Sequence, residues 1–337
     1  INNYISFKGK ENVQLGFYSC ESNQLIAALF KTSCSEVFYD EWVKQTSWNE
    51  NDNYITEEQI FSTYNVDFIP SFLREKASVI ETAKNKNLPA VIRTADITAI
   101  IHSHSNWSDG SNSVEEMAHE CIKRGLQYLV LSDHSKAAYY AKGLDEERII
   151  AQHQHIDELN KKLNPFKIFK SIECDILNDG NLDYTPDILK TFDIIIASVH
   201  SNLKMNEEKA MMRLLKAIEN PYTSILGHMT GRLLLSRNGY PVNHKTIIDA
   251  CAANNVVIEL NAHPRRLDID WRWIDYALEK NILISINPDA HSIEGYDDCR
   301  YGVLAAQKAG LTKQQNLSSF SLSNFEEFVN IQQKKRP

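Results

Sequence analysis

The sequence predicts an α/β protein whose larger part is a barrel of repeated βα units, preceded by a smaller α+β segment. Three observations carry this expectation. From about Thr94 onward, short β-branched runs alternate with amphipathic helical segments, the pattern of a parallel sheet covered by helices. A chain of 337 residues, at roughly 150 per domain, has room for about two units. Ionisable side chains recur at the ends of the apolar runs rather than at random.

Residues 1–95 form the smaller segment, with polar tracts at 49–53 and 84–87. A helix is expected over Leu25–Phe30 after Ser22, and Thr56 with Gln59 has the reciprocal capping pattern of a second helix start. The segment lacks an Asp-x-Asp pair and a Gly-rich phosphate loop. Residues 96–330 form the barrel. Its seven expected strands are Ile97–His102, Tyr128–Ser132, Ile168–Ile176, Asp193–Val199, Ser224–Gly227, Val256–Leu260 and Ile282–Ile286. The clearest helix opens at the capping box Ser113-Val-Glu-Glu116 and stops at Gly125. Others are expected over Asp145–Leu163, Asn206–Glu219, Lys245–Ala253, Asp270–Lys280 and Asp298–Ala309. Seven units in strict β, α order favour a closed barrel over an open sheet.

Composition bounds the function. Hydrophobic residues make up 43% and charged residues 24%, enough to bury a core, and the net charge of −8 speaks against a broad basic surface for nucleic acid. Six cysteines with no C-x-x-C pair read as reduced cytoplasmic thiols rather than a zinc knuckle or disulfide frame. No apolar stretch approaches the roughly 18 residues of a membrane span, so no membrane partner is expected. The first residue is Ile1, which suits a piece or processed product of something longer.

The strand ends carry the chemistry. They bear His102 and His104, His134, Glu173, His200, His228, then Asp289 and His291, and the sixth run ends at Asn261-Ala-His263 instead. Successive markers lie about one βα unit apart. In a βα barrel all strand C-termini open on one face, so these residues are expected to converge there. The His102-x-His104 pair places both rings on one side of a regular strand. With Asp109 in the following loop, six histidines and three carboxylates exceed the ligand needs of one metal and imply two or three divalent ions, zinc, manganese or iron. A shared carboxylate such as Glu173 would bridge two of them. A lone histidine at a strand end is more often structural, but six of the 11 histidines occupy marker positions, whereas His119, His153, His155 and His244 fall in helices and are expected to face solvent.

From Asp96 to Phe328 the chain resembles the PHP (polymerase and histidinol phosphatase) domain, in the version attached to bacterial family X DNA polymerases. The resemblance rests on His-Ser-His (102–104), Trp-Ser-Asp-Gly (107–110), Ser-Asp-His-Ser (132–135), Ile-Glu-Cys-Asp (172–175), Ser-Val-His-Ser (198–201), Gly-His-Met-Thr-Gly-Arg-Leu-Leu (227–234), Asn-Ala-His-Pro-Arg-Arg-Leu-Asp (261–268) and Asp-Ala-His-Ser (289–292). It implies a distorted seven-stranded barrel with a trinuclear centre. One metal would take His102, His104, Glu173 and Asp289; a second would share Glu173 with His200 and His228; a third would take Asp109, His134 and His291. The chain departs from the family at His263, where Asn or Asp is usual, and at Pro288, where Thr is usual. Residues 1–95 sit where the family carries the end of its polymerase palm and thumb, so a polymerase module is an expected partner, and this chain alone is not expected to polymerise DNA. The implied activity is a metal-dependent phosphodiesterase at DNA 3′ ends, a 3′-5′ exonuclease or an end-processing enzyme of DNA repair. Metal-activated water would attack, with Glu173, Asp109 and His134 as catalytic residues. Lys136, Lys142, Arg232, Arg237, Arg265, Arg266 and His263 are candidates to hold substrate phosphates. Two alternatives are a small-molecule phosphomonoesterase of the histidinol-phosphate type and a catalytically weak module of a polymerase.

Overall fold

The computed structural model describes residues 4–10 and 13–337, which divide into two units, 1–90 and 91–337. The division falls a few residues before the boundary expected at 95. In the first unit a hairpin of β1 (Tyr4–Lys8) and β2 (Gln14–Tyr18) precedes four helices, α1 (Leu25–Thr32), α2 (Glu36–Thr46), α3 (Glu57–Ser62) and α4 (Ser78–Lys84). Aromatic side chains form its core. Phe30, Phe38, Trp42 and Phe61 are fully buried, and the guanidinium of Arg74, over the rings of Phe30 and Phe61, donates to Ile69 O, Ser33 Oγ and Glu57 Oε1. α3 begins at Thr56 as expected, but the capping box does not form: Gln59 Oε1 accepts from the Ile55 N–H, and the Thr56 side chain caps nothing.

The second unit contains all seven expected strands, paired in sequence order and all parallel: β3 (Ala99–Ser103), β4 (Tyr128–Leu131), β5 (Lys167–Asp175), β6 (Ile194–Ser198), β7 (Ile225–Leu226), β8 (Val257–Asn261) and β9 (Ile284–Asn287). The connecting helices are α5 (Val114–Lys123), α6 (Glu146–Leu163), α7 (Pro186–Leu189), α8 (Glu207–Ile218), α9 (His244–Ala253), α10 (Ile274–Glu279) and α11 (Cys299–Gln307). Local sequence fixes their starts. Ser113 and Glu116 form the expected capping box, and Asp145, Asn206 and Asn243 each accept a backbone N–H as N-caps.

Closure of the barrel is uneven. At their C-terminal ends β3 and β9 meet through a parallel bridge, the His104 N–H donating to Ala290 O at 2.8 Å. Lower down, the segment Asn316–Ser318 wedges between them: Thr98 N–H donates to Ser318 O, and Ile286 N–H to Asn316 Oδ1. A further helix, α12 (Leu322–Lys334), packs Phe325, Phe328 and Val329 against the inward residues Ile101, Val130, Phe169 and Ile196. This stoppers the barrel with apolar side chains at the N-terminal ends of the strands, so polar groups accumulate at the other mouth. Among the described residues no helix is long and apolar enough to cross a membrane.

Candidate metal centre

The structure brings all nine marker residues to the C-terminal mouth. β3 delivers His102 by an irregularity: the register slips between Ile101 and Ser103, and His102 has φ 63°. Ile101 packs into the barrel interior, the bulge turns His102 inward directly after it, and Ser103 faces out beside the Tyr296 hydroxyl. The expected sharing of one face by His102 and His104 is therefore met through a bulge and not through plain alternation. Asp289, after Pro288, is also left-handed at φ 51°. Such conformations in non-glycine residues cluster where a site over-determines them. Gly110 beside Asp109 is required by space, since a Cβ there would stand 2.1 Å from His104 O.

Glu173, from β5, is the hub. Its Oε1 lies 3.2 Å from His102 Nε2, 3.1 Å from His200 Nε2 and 2.9 Å from His228 Nε2, and its Oε2 lies 3.0 Å from His134 Nδ1. His104 Nε2 stands 3.1 Å from Asp289 Oδ1, and Asp109 Oδ1 is 3.6 Å from His134 Nε2 and 3.5 Å from His291 Nε2. Three overlapping groups have ligand atoms within 4.8 Å of one another: His102, His104, Glu173 and Asp289; His104, Asp109, His134 and His291; and His134, Glu173 and His200. The first is the ligand set implied for one metal. The three groups overlap pairwise at His104, His134 and Glu173, and His228 joins through Glu173 alone.

Within this centre burial works against every charge, and the neighbours decide which charges survive. Burial lowers His102, but Glu259, Glu173 and Asp289 raise it well above an ordinary imidazole. His200 is likewise carried to about 10 by Glu173 and Asp175, and His291 to about 9 by Asp109 and Asp289. His104 goes the other way, to about 3, under burial and its neighbours His134 and His291. Glu173 and Asp289 are held well below the usual carboxylate range, against burial, by the surrounding imidazoles. Yet His102 Nε2, His134 Nδ1, His200 Nδ1 and Glu173 Oε2 are buried without hydrogen-bond geometry to any partner. Buried polar atoms are rarely left so. Imidazole nitrogen and carboxylate oxygen are the donor set of divalent transition ions, and the residues fit such ions.

Sequence reasoning passed over a second ring of acids. Glu259 of β8 is fully buried; its Oε2 accepts from Asn287 Nδ2 and stands 2.6 Å from His102 Nδ1, while its Oε1 accepts from the His228 N–H and Asn261 Nδ2. Asp175 lies 3.3 Å from His200 Nδ1. Asp133 accepts from Ser105 N–H, Ser105 Oγ, Ser108 Oγ and Gln152 Nε2, pinning the loop that carries Asp109. The signal for Glu259 was present: a charge in the middle of the apolar run Val256–Leu260.

Of the proposed phosphate contacts, Lys136 is paired with Glu146 at 2.6 Å. Arg232 binds Asp270 and the carbonyls of Arg266 and Leu267, and Arg237 binds Gly231 O. Arg265 and Lys142 are exposed, and His263 Nδ1 accepts from the Arg265 N–H. Arg266 reaches the centre, its Nε 3.3 Å from Asp289 Oδ2. The helical histidines divide: His119 is exposed, but His153 is buried against Phe192, while His155 and His244 are half-buried beside Trp107 and Trp273.

Residues 101–263, within the barrel, match the PHP domain family. The class this match supports is the metal-dependent phosphoesterases. The chain is 38% identical over 287 residues to the DNA polymerase/3′-5′ exonuclease PolX of Bacillus subtilis strain 168, covering 85% of this chain and 50% of that relative. It is 30% identical over 165 residues to a probable phosphatase of Thermoanaerobacter sp. strain X514, covering 48% of this chain and 62% of the relative. The chain thus spans about half the length of the polymerase relative. A solved histidinol phosphate phosphatase from Lactococcus lactis, complexed with zinc, L-histidinol and phosphate, superposes with a TM-score of 0.49 at 16% identity, over 64% of this chain and 95% of that one.

Proposed function

We propose that the barrel is a metal-dependent phosphodiesterase acting at DNA 3′ ends, of the 3′-5′ exonuclease or end-processing type, with two or three divalent ions of zinc, manganese or iron. One observation carries the reading: a single buried carboxylate, Glu173, stands within 3.2 Å of ring nitrogens from four histidines on four different strand ends. The similarity to a polymerase with 3′-5′ exonuclease over 85% of the chain supports the choice of DNA ends. The matching phosphatase supports a second reading, hydrolysis of a small phosphomonoester. Bound ions would polarise the phosphoryl oxygens and lower the pKa of the attacking water. The chain's own part is positional. His102 and His104 are held from β3, Asp109 from the loop that Asp133 pins, and Arg266 offers the mouth a cation for the phosphate while touching Asp289.

Incubation with end-labelled single-stranded DNA and Mn²⁺ tests this. Nucleotide release is expected; rapid phosphomonoester hydrolysis without it selects the second reading. Glu173→Ala is expected to lose activity by more than about a hundredfold, beyond the usual cost of disturbing an outer-sphere group, with the circular dichroism of the fold retained. Full activity in that variant overturns the central role of Glu173.

A further inference from the structure

Beyond the ligand His134, the loop that leaves β4 carries two adjacent aromatic side chains turned to solvent, Tyr139 at 85% exposure and Tyr140 at 64%. Their exposure is built in. Both ends of the loop are fastened to the backbone of the centre: the Ser135 N–H donates to Glu173 O at 3.1 Å and the Leu144 N–H to His134 O at 2.8 Å. Between them Ala141 N–H donates to Ala138 O and Lys142 N–H to Tyr139 O, winding the tyrosines into one tight turn. At Gly143 the chain passes so close that a Cβ would stand 1.9 Å from Ser135 O. Arg148 donates to Lys142 O, Gly143 O and Trp107 O, which ties the turn to the segment carrying Asp109. The two rings lie 6.0 Å apart at 79°. The anchors to Glu173 O and His134 O set this turn next to the centre, and burial, then Asp175, Glu173 and Asp109, push the Tyr140 phenol up to about 12.

We propose that Tyr139 and Tyr140 form a platform on which the last nucleobases of a single-stranded nucleic acid stack while its terminal phosphodiester lies at the centre. This rests on the phosphodiesterase reading and gives it a selecting element. Every base offers a π-face, so aromatic stacking binds polynucleotide ends without regard to sequence, and a small phosphoester without an aromatic ring gains nothing from it. The rigid turn lowers the ordering cost of such contacts.

The test compares two oligonucleotides with phosphorothioate linkages at the 3′ end, one with ordinary terminal nucleotides and one with abasic residues there, by equilibrium binding to the full chain in the presence of Mn²⁺. The wild-type protein is expected to prefer the base-bearing end by about tenfold or more, the scale of stacking one base. In Tyr139→Ala/Tyr140→Ala the preference should collapse to near unity, and in Tyr139→Phe/Tyr140→Phe, which keeps both rings, it should persist. An equal preference in wild type and the alanine variant, or no preference in wild type, overturns the platform. Discrimination that depends on the tyrosines, together with no nucleotide release from unmodified DNA, upholds the platform and removes the exonuclease reading instead.

Discussion

Glu259 shows how much the candidate metal centre rests on a side chain outside the expected ligand set. Its carboxylate gathers two asparagine amides and the His228 N–H, and faces His102 Nδ1, so that one ligand ring is fixed with Nε2 toward Glu173. Outer-sphere carboxylates of this kind hold a ligating histidine in one tautomer and raise its basicity. Glu259→Gln keeps the volume but removes the charge, and a tenfold to hundredfold loss of metal affinity is expected. Metal content per chain after dialysis against graded chelator measures it; retention equal to wild type would dismiss the positioning role. Asp289 was legible in the sequence because it follows an apolar run, whereas Glu259 lies within one. The sequence rule looked only at strand ends, and a residue pointing inward one layer below the mouth escapes it.

At the scale of elements, the strand sequence was legible because its signal is local: apolar runs of four to nine residues, four of them followed by a helix with a side-chain N-cap at Ser113, Asp145, Asn206 or Asn243. The bulge at His102 was not, since it depends on the register that β4 imposes on β3. Nor was the solvent-facing expectation for His153 sound: it sits on the inner side of α6 against Phe192, a pairing set by packing and invisible to periodicity read from one helix. The capping box expected at Thr56 failed for a similar reason, the Gln59 side chain reaching one residue too far back. α12 lay past the last expected helix, although Phe325, Phe328 and Val329 repeat at the spacing of a buried helical stripe. Because Phe325 is fully buried beneath the barrel floor, stacked on Tyr128 at 4.5 Å between ring centroids, Phe325→Ala is expected to cost about 3–5 kcal/mol. Chemical denaturation measures this; a cost under about 1 kcal/mol would mean that the helix does not stopper the barrel.

At the scale of the whole molecule, the acidic chain of net charge −8 concentrates its buried charge at one mouth, and that concentration makes metal and protons competitors. The sequence-based account counted three carboxylates there; of the further acids, Glu259 and Asp175 stand against imidazole nitrogens of the centre, which is thus more negative than expected and draws protons in the absence of ions. His200 near 10 and His291 near 9 are charged at neutral pH in the metal-free chain, whereas His104 near 3 is neutral across the same range. Their raised values mean that the stabilisation these protons give is complete below the unfolded imidazole pKa of about 6.5 and fades as pH climbs through 9 and 10. Ions must expel the same protons, so metal affinity should rise with pH across that window, by about tenfold per unit for each proton displaced. The two trends reinforce each other: metal-free protein weakens while metal-bound protein gains. The difference in melting temperature between metal-loaded and chelator-treated protein is therefore expected to widen from pH 7 to pH 9.5, with protons released on titration with Zn²⁺ at pH 7.5. A constant difference, with no proton release, would mean that His200 and His291 are neutral before any ion arrives.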